Sequence, residues 1–442
     1  MTIKRYENML PRVPTRLTCG CKRKITINTD PTKARGPLGD AQYQLRKFLS
    51  KHKENAPTDF VELTSDVDLD WLPTIRPNHF NDRLDDLRKN TSPGIYYVAK
   101  GYRTKTDVID NCANELRYYC HMIKTGKLRN PRPLTRLVSV DTKVDLKTGV
   151  SKTRVAWCFP IQVIAIENMW FSAIKDNIPA DYVPTPSTAH SMWCGQSSRS
   201  FDFSSFDASV PRWLVEQALD ILESHFDHSL YASGDKPYSR TSLNRLWNFV
   251  RWYILNTPVF VNDRVYTKVH GVPSGSMFTN ILDSIISKLV MMYVHRSEGC
   301  HSECTTYGDD CHVRNCTCEV ATIENAVSRH FGMTIKVEKP NEHGCLTYCK
   351  AECHNGQPFH SGLWFSNILN CVSSRLKEGV AHCLKYMTPT RFQYKELCKI
   401  CPDGKSTRLH PRTEHYLAKM LTSGRPEEYD LLKQRGPVTS TL

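Results

Sequence analysis

The stretch "CTTYGDDCHV" (residues 304–313) sets two acids side by side, Asp309 and Asp310, between two short β-type runs. Gly308 and Asp309 are ordinary turn chemistry, because glycine takes φ > 0 and aspartate hydrogen-bonds its own backbone. A second carboxylate at the tip adds a repulsion that a bare turn has no use for. A divalent cation removes it, provided that a third carboxylate arrives from elsewhere. Asp202 is the candidate: it lies in the β-type run "RSFDF", and Asp207 stands in the loop that follows. In-line phosphoryl transfer by two metal ions uses such acids on strand ends, holding two Mg²⁺ roughly 3.5–4 Å apart. Mg²⁺ takes near-octahedral oxygen ligands, usually one or two carboxylates plus substrate phosphates. The chemistry therefore predicts that Asp202 and Asp309 meet on neighbouring strands.

The elements that must position these acids alternate between strand and helix, a mixed α/β or α+β core with apolar strands beneath helices. After Asp207, Ser209 reads as a helix N-cap and Pro211 as its first turn, with Leu214, Ala218, Ile221 and Leu222 on one face. "GVPSGSMFTNILDSIISKLVMMYVH" is a loop running into a long helix, and "EVATIENAVSRHFG" is a short amphipathic helix stopped by Gly332. "MTIKVEK" and "CLTYCKAEC" read as strands, and the chain after residue 362 as helical and basic. Upstream, "TRLVSVDTKVDLKTGVSKTRVAW" alternates like a hairpin around a Lys-Thr-Gly turn. Nine cations between Lys124 and Arg154 face only Asp141 and Asp145, and that density favours phosphate contacts.

At 442 residues the chain has room for two to three domains, and its 40% hydrophobic and 24% charged residues are those of a globular protein. The formal net charge of +14 points to a polyanionic partner. "MTIKRYENMLPRVPTR" has no apolar stretch, so no signal peptide is expected. The most apolar runs are short and carry Glu167, or Asp283 with Lys288, so no membrane span is expected. Eighteen cysteines read as free thiols of a reducing compartment. Cys398 and Cys401 with His382 and Cys383, or Cys345, Cys349 and Cys353 with His354, lack paired zinc-ligand spacing, so structural zinc is not expected.

"DFSSFD", "GVPSGSMFTNILDS" and "YGDD", in that order, resemble motifs A, B and C of viral RNA-dependent RNA polymerases. "TSPG" (Thr91 to Gly94) resembles motif G, "KTR" (Lys152 to Arg154) motif F, "FGMTIKVEK" motif D and "LTYCK" (Leu346 to Lys350) motif E. Seven ordered elements from Thr91 to Lys350 are not a chance match. The run "RVAWCFPIQVIAIE" and the Asp at the motif B Asn position look most like the partitivirus- and picobirnavirus-type enzymes.

The resemblance implies a right-hand fold of fingers, palm and thumb around a central template channel. It divides the chain into an N-terminal region with fingers (1–195), palm (196–223), a fingers insertion (224–264), palm (265–362) and thumb (363–442). It implies that Asp202 and Asp309 hold two Mg²⁺, for which Mn²⁺ can substitute, with support from Asp310 and the backbone carbonyl of Phe203. Lys152 and Arg154 would grip the nucleotide triphosphate. Asp207 would read the ribose, next to Asp283 and with Thr279 orienting it, and Ser274 and Gly275 would form the mobile loop beside the nascent pair. Lys339 would be the general acid for pyrophosphate, and Thr91, Ser92, Gly94 and Lys350 would contact RNA. The implied partners are template and product RNA, ribonucleoside triphosphates and a capsid protein, in the host cytoplasm or virion interior.

Two other readings were open on the residues. A reverse transcriptase shares the acidic hairpin, but would be expected to carry a bulky aromatic where Asp207 stands. A basic RNA-binding structural protein explains the charge but not the ordered acids.

Overall fold

The protein is described from a computed structural model covering residues 31–178, 198–338, 346–349, 351–354, 357–387, 391–403, 409–421, 429–430 and 433–434. One sheet collects β1 (Lys33–Arg35), β2 (Thr135–Asp145), β3 (Ser151–Cys158), β5 (Pro258–Val261) and β6 (Arg264–Thr267). The basic hairpin is real: β2 and β3 pair antiparallel, from Arg136 opposite Cys158 to Val144 opposite Ser151. Its turn is closed by Asp145, whose Oδ1 accepts from the Lys147 and Thr148 N–H groups, and by Gly149 at φ +70. β5 then joins β2 in parallel, over a hundred residues downstream, as Thr135 pairs with Val259.

A second sheet, entirely antiparallel, has the order β7 (Glu303–Tyr307), β8 (Asp310–Arg314), β4 (Arg199–Phe203), β9 (Ile335–Glu338). The Thr279–Ser297 helix packs on β7, and its thirteen buried residues leave little of it for solvent. The Ile161–Lys175 helix is buried on nearly every side and mostly apolar, as expected of a core helix rather than a span. Among the described residues no helix is long and apolar enough to cross a membrane. The Val320–Phe331 helix ends on Gly332 at φ +66, as expected. β10 (Thr347–Tyr348), β11 (Ala351–His354) and β12 (Gln357–Phe359) make a third sheet.

Local expectations failed around Asp207. It lies in a four-residue helical turn, Phe206–Ser209, entered through Ser205 at φ +54, rather than in an open loop. Ser209 caps nothing downstream: its hydroxyl donates back to the Phe206 carbonyl, and Pro211 precedes the Arg212–Ser224 helix. Pro211 occupies the N-cap position of that helix, which leaves Ser209 two residues outside the cap.

Among the described residues, most buried apolar side chains fall into two clusters. The larger runs from Leu45 to Ile335 and carries both main sheets; the smaller, from Phe365 to Tyr429, is built by C-terminal helices.

Candidate active site

In the β4–β8 pair Asp202 lies directly opposite Asp310. Residues so opposed share a face, with Cβ atoms about 4.5–5.5 Å apart. Across β7–β8, Tyr307 pairs with Asp310, so Gly308 and Asp309 are the two turn residues. Gly308 has φ +60, the positive value a two-residue hairpin turn requires at its first position. Asp309 is exposed at the tip, Asp202 is exposed beside it, and Asp310 is half-buried. The three acids singled out in the sequence are thus brought together at one hairpin end.

What holds this tip in place is less obvious. Gly308 is clamped through both backbone groups by the Thr279–Ser297 helix: its N–H donates to Ser284 Oγ at 2.8 Å, and its carbonyl accepts from Ser287 Oγ at 2.8 Å. Ser284 Oγ in turn donates to the Asn280 carbonyl, and Thr306 Oγ1 donates to the Ser284 carbonyl. Sequence reading missed Ser284 and Ser287. Their signal was two small hydroxyls at i and i+3 on an otherwise apolar helix face.

A cleft of about 420 Å³ opens at the tip, lined by Ser276, Thr279, Asp283, Asp309, Asp310 and Cys349 among others. Its charges are tuned by burial. Asp283 is 7% exposed and its Oδ1 has no hydrogen-bond partner among the described residues. Burial, then the charges of Asp207 and Asp309, push its carboxyl well above the usual carboxylate range. Asp207 is pushed up to about 6 by burial and Asp309, against the pull of the Arg154 guanidinium. Asp283 is the better proton holder of the two, since no cation offsets its burial. A group of acids with an orphaned carboxylate oxygen at Asp283 fits oxygen-seeking divalent cations such as Mg²⁺; on the roles expected from the motifs, Asp202 and Asp309 would hold them.

The loop entering the long helix hangs from a buried glutamate. Glu167, in the middle of the Ile161–Lys175 helix, accepts from Ser276 Oγ at 2.8 Å and from the Met277 N–H at 2.9 Å. Burial raises its carboxyl to about 7, although those hydrogen bonds and Lys105 pull the other way. Because the folded value lies above the unfolded one, this group's contribution to stability is complete below about pH 4.5 and is lost as pH rises through about 7. Glu167→Gln, which keeps an acceptor for Met277, is expected to match the parent near pH 5 and exceed it near pH 8. The gain is roughly 3 kcal/mol at most. Thermal melts of both proteins across that range check it, and an unchanged pH profile in the variant would count against the assignment.

The sequence model of the viral RNA-dependent RNA polymerase family matches residues 30–360, three quarters of the chain. The chain belongs to that family. The RNA-directed RNA polymerase of Cryptosporidium parvum virus 1 (strain KSU-1) is 32% identical to this family member over 159 residues, 33% of this chain and 28% of that protein. The genome polyprotein of Salivirus A (isolate Human/Nigeria/NG-J1/2007) is 22% identical over 232 residues, 49% of this chain and 9% of the polyprotein. The matched segments are therefore under a third of each curated relative's length. The fold is that of the Sicinivirus 3Dpol RNA-dependent RNA polymerase (TM-score 0.64, 14% identity, 96% of both chains). It is also that of a human picobirnavirus RNA-dependent RNA polymerase (TM-score 0.61, 15% identity, 90% of this chain and 85% of that one). The right-hand fold expected from the motifs is thereby established.

Of the outer segments singled out in the sequence, β3 reaches the acids of this family member through the charge of Arg154 on Asp207. Gly94 has φ +98, and a Cβ there would stand 2.6 Å from Pro160 Cα, so this turn is pressed against the start of the Ile161–Lys175 helix. The Pro93 carbonyl accepts from the Ile161 N–H at 2.9 Å, while Thr91 and Ser92 stay exposed. Lys152 and Arg154 are exposed on β3, opposite Lys143 and Asp141, and Arg154 is close enough to Asp207 to pull its titration down. Ser274 is exposed, whereas Gly275 has no room for a side chain: a Cβ would meet the Trp157 carbonyl oxygen at 2.2 Å. Thr279 spends its hydroxyl on the Pro273 and Ser276 carbonyls, while the charges that act on Asp207 are those of Asp309 and Arg154, and Asp207 in turn acts on Asp283. The ring of Phe203 is buried where β4 meets Ile335 of β9. Lys339 and Lys350 lie outside the described residues, as does Cys345. Cys398 and Cys401 do not gather with His382 and Cys383 into a ligand cluster among the described residues.

Proposed function

We propose that this chain is an RNA-directed RNA polymerase that replicates and transcribes a viral RNA genome, adding ribonucleotides to an RNA 3′-OH. The observation that carries the reading is the register of Asp202 against Asp310, with Asp309 at the turn beside them. Two Mg²⁺, with Mn²⁺ able to replace them, supply charge neutralisation on the triphosphate and a more acidic 3′-OH when bound. Asp202 and Asp309 would hold them, with help from the Phe203 carbonyl and Asp310. Asp207 accepts from the ribose hydroxyl. Lys152 and Arg154 bind the triphosphate, Ser274 and Gly275 flank the nascent pair, and Thr91, Ser92, Gly94 and Lys350 follow the RNA. Lys339 protonates the departing pyrophosphate, for which a tuned pKa is the requirement.

Fingers, palm and thumb correspond on this reading to the first sheet, the second sheet and the C-terminal core. On this reading the fingers insertion (224–264) carries β5 into the sheet of β2 and β3, and β6 continues that sheet to Thr267. The partners are template and product RNA and ribonucleoside triphosphates, in the host cytoplasm or in a virion interior lined by capsid protein. The deciding experiment incubates the purified chain with an unprimed RNA, four ribonucleotides and Mg²⁺ or Mn²⁺, and sizes the product. No metal-dependent incorporation, with or without an added primer, would refute the reading.

Arg154 separates two uses of the basic strip. If it binds the triphosphate, Arg154→Ala raises the nucleotide KM while RNA affinity holds. If it tracked RNA backbone instead, RNA affinity would fall and the slope of log K against log salt would drop by about one. We expect the first pattern, because the guanidinium sits near Asp207. Titrating both parameters decides it.

A further inference from the structure

Behind the catalytic tip, at the open end of the same hairpin, three cysteines converge. Cys300 follows the Thr279–Ser297 helix and precedes β7; Cys316 and Cys318 lie between β8 and the Val320–Phe331 helix. Their sulfurs all lie within 4.8 Å of one another, and all three cysteines are free. Cys300 and Cys316 are buried and Cys318 is partly exposed. We propose that Cys300, Cys316 and Cys318 bind one zinc ion, which clamps the base of the hairpin that carries Asp309.

The geometry is close to what zinc requires. Tetrahedral thiolates at ~2.3 Å from the metal stand about 3.8 Å apart, so the sulfurs need to move by about 1 Å. Charge also balances. Three thiolates and Zn²⁺ leave one negative charge, and the Arg199 guanidinium lies against the site, with Nη1 3.7 Å from Cys316 Sγ and donating to the Cys318 carbonyl. Arg199 starts β4, three residues before Asp202, so the site ties that strand to the hairpin as well. Thr317 Oγ1 donates to Cys300 Sγ at 3.5 Å.

A closed site needs a fourth donor, and His295 is prepared for it. Its Nδ1 is 2.6 Å from the Met291 carbonyl, which can only accept, so Nδ1 carries the proton and Nε2 keeps its lone pair. Nε2 is buried with no hydrogen-bond partner among the described residues, and the His295 carbonyl accepts from the Cys300 N–H at 2.8 Å. Nε2 is not one of the atoms clustered within 4.8 Å, so its ring must swing toward the metal.

The test reads metal rather than nucleotide addition, so it stands apart from the polymerase reading. The reduced, chelator-stripped full chain is titrated with Zn²⁺ against a chromophoric chelator. One equivalent is expected to bind, and Co²⁺ in its place is expected to show thiolate-to-metal charge-transfer absorption. Cys316→Ser with Cys318→Ser is expected to weaken zinc at least ~100-fold, the scale on which even outer-shell changes act. Cys398→Ser with Cys401→Ser is expected to bind as the parent does. Should the double variant misfold, alkylation of the parent replaces it: one equivalent of zinc protects Cys318, and with it Cys300 and Cys316, while other cysteines react as before. Absence of stoichiometric binding, retention of zinc by the folded 316/318 variant, or protection elsewhere overturns the site. His295→Ala is expected to lower affinity; unchanged affinity removes His295 as the fourth ligand.

Discussion

Asp309→Ala is expected to remove ribonucleotide addition, by ~10³-fold or more, while leaving RNA binding almost intact. Losing one preorganised group that stabilises developing charge costs on that order, and this residue would also hold metal shared by substrate and product. Asp202→Ala should do the same. Asp310→Asn should be milder, because Asp310 is half-buried behind the tip and keeps an oxygen acceptor as Asn. The fold should tolerate all three, since the turn is held through the backbone of Gly308 by Ser284 and Ser287 and not through these side chains. Single-nucleotide extension and RNA-binding titrations on the same preparations separate chemistry from binding. Measurable elongation by the purified Asp309→Ala protein would sink the assignment.

Sugar choice gives the second large effect. A site built to pair a hydroxyl can reject the analogue lacking it by up to about 10⁴–10⁵, and Asp207 is the residue assigned to that hydroxyl. Asp207→Ala should therefore lose much of the preference for ATP over dATP, read as a ratio of kcat/KM values. Asp283→Asn should stay active and keep the preference. Two full charges about 4 Å apart at an effective dielectric near 20 repel by around 4 kcal/mol, roughly three pK units. Burial and the neighbouring acids raise Asp283 well above the usual carboxylate range, which favours its protonated form, and a protonated carboxyl can donate one hydrogen bond as an asparagine amide does. Equal discrimination by Asp207→Ala and the parent would show that the ribose is read elsewhere.

Much of this protein was legible in one dimension because the relevant physics is local. The Gly308–Asp309 turn, the stop at Gly332 and the β2–β3 hairpin each follow from the φ range of a glycine or from alternation over a few residues. Ordered motifs then named the acids, since their types and order survive without knowledge of contacts. Register did not follow. That Asp202 faces Asp310 depends on how strands more than a hundred residues apart slide past each other, and a one-residue slip would reverse the face. Glu167 read only as a charge inside an apolar run, yet it suspends a loop 110 residues away; its burial and its partners exist only once the helix is packed. The cysteines fared worst. Spacing drew attention to Cys398 and Cys401, whereas the sulfurs that meet are Cys300, Cys316 and Cys318, brought together because the two ends of a hairpin close on one point. Chain order records which groups are available, and only long-range packing decides which of them share a space.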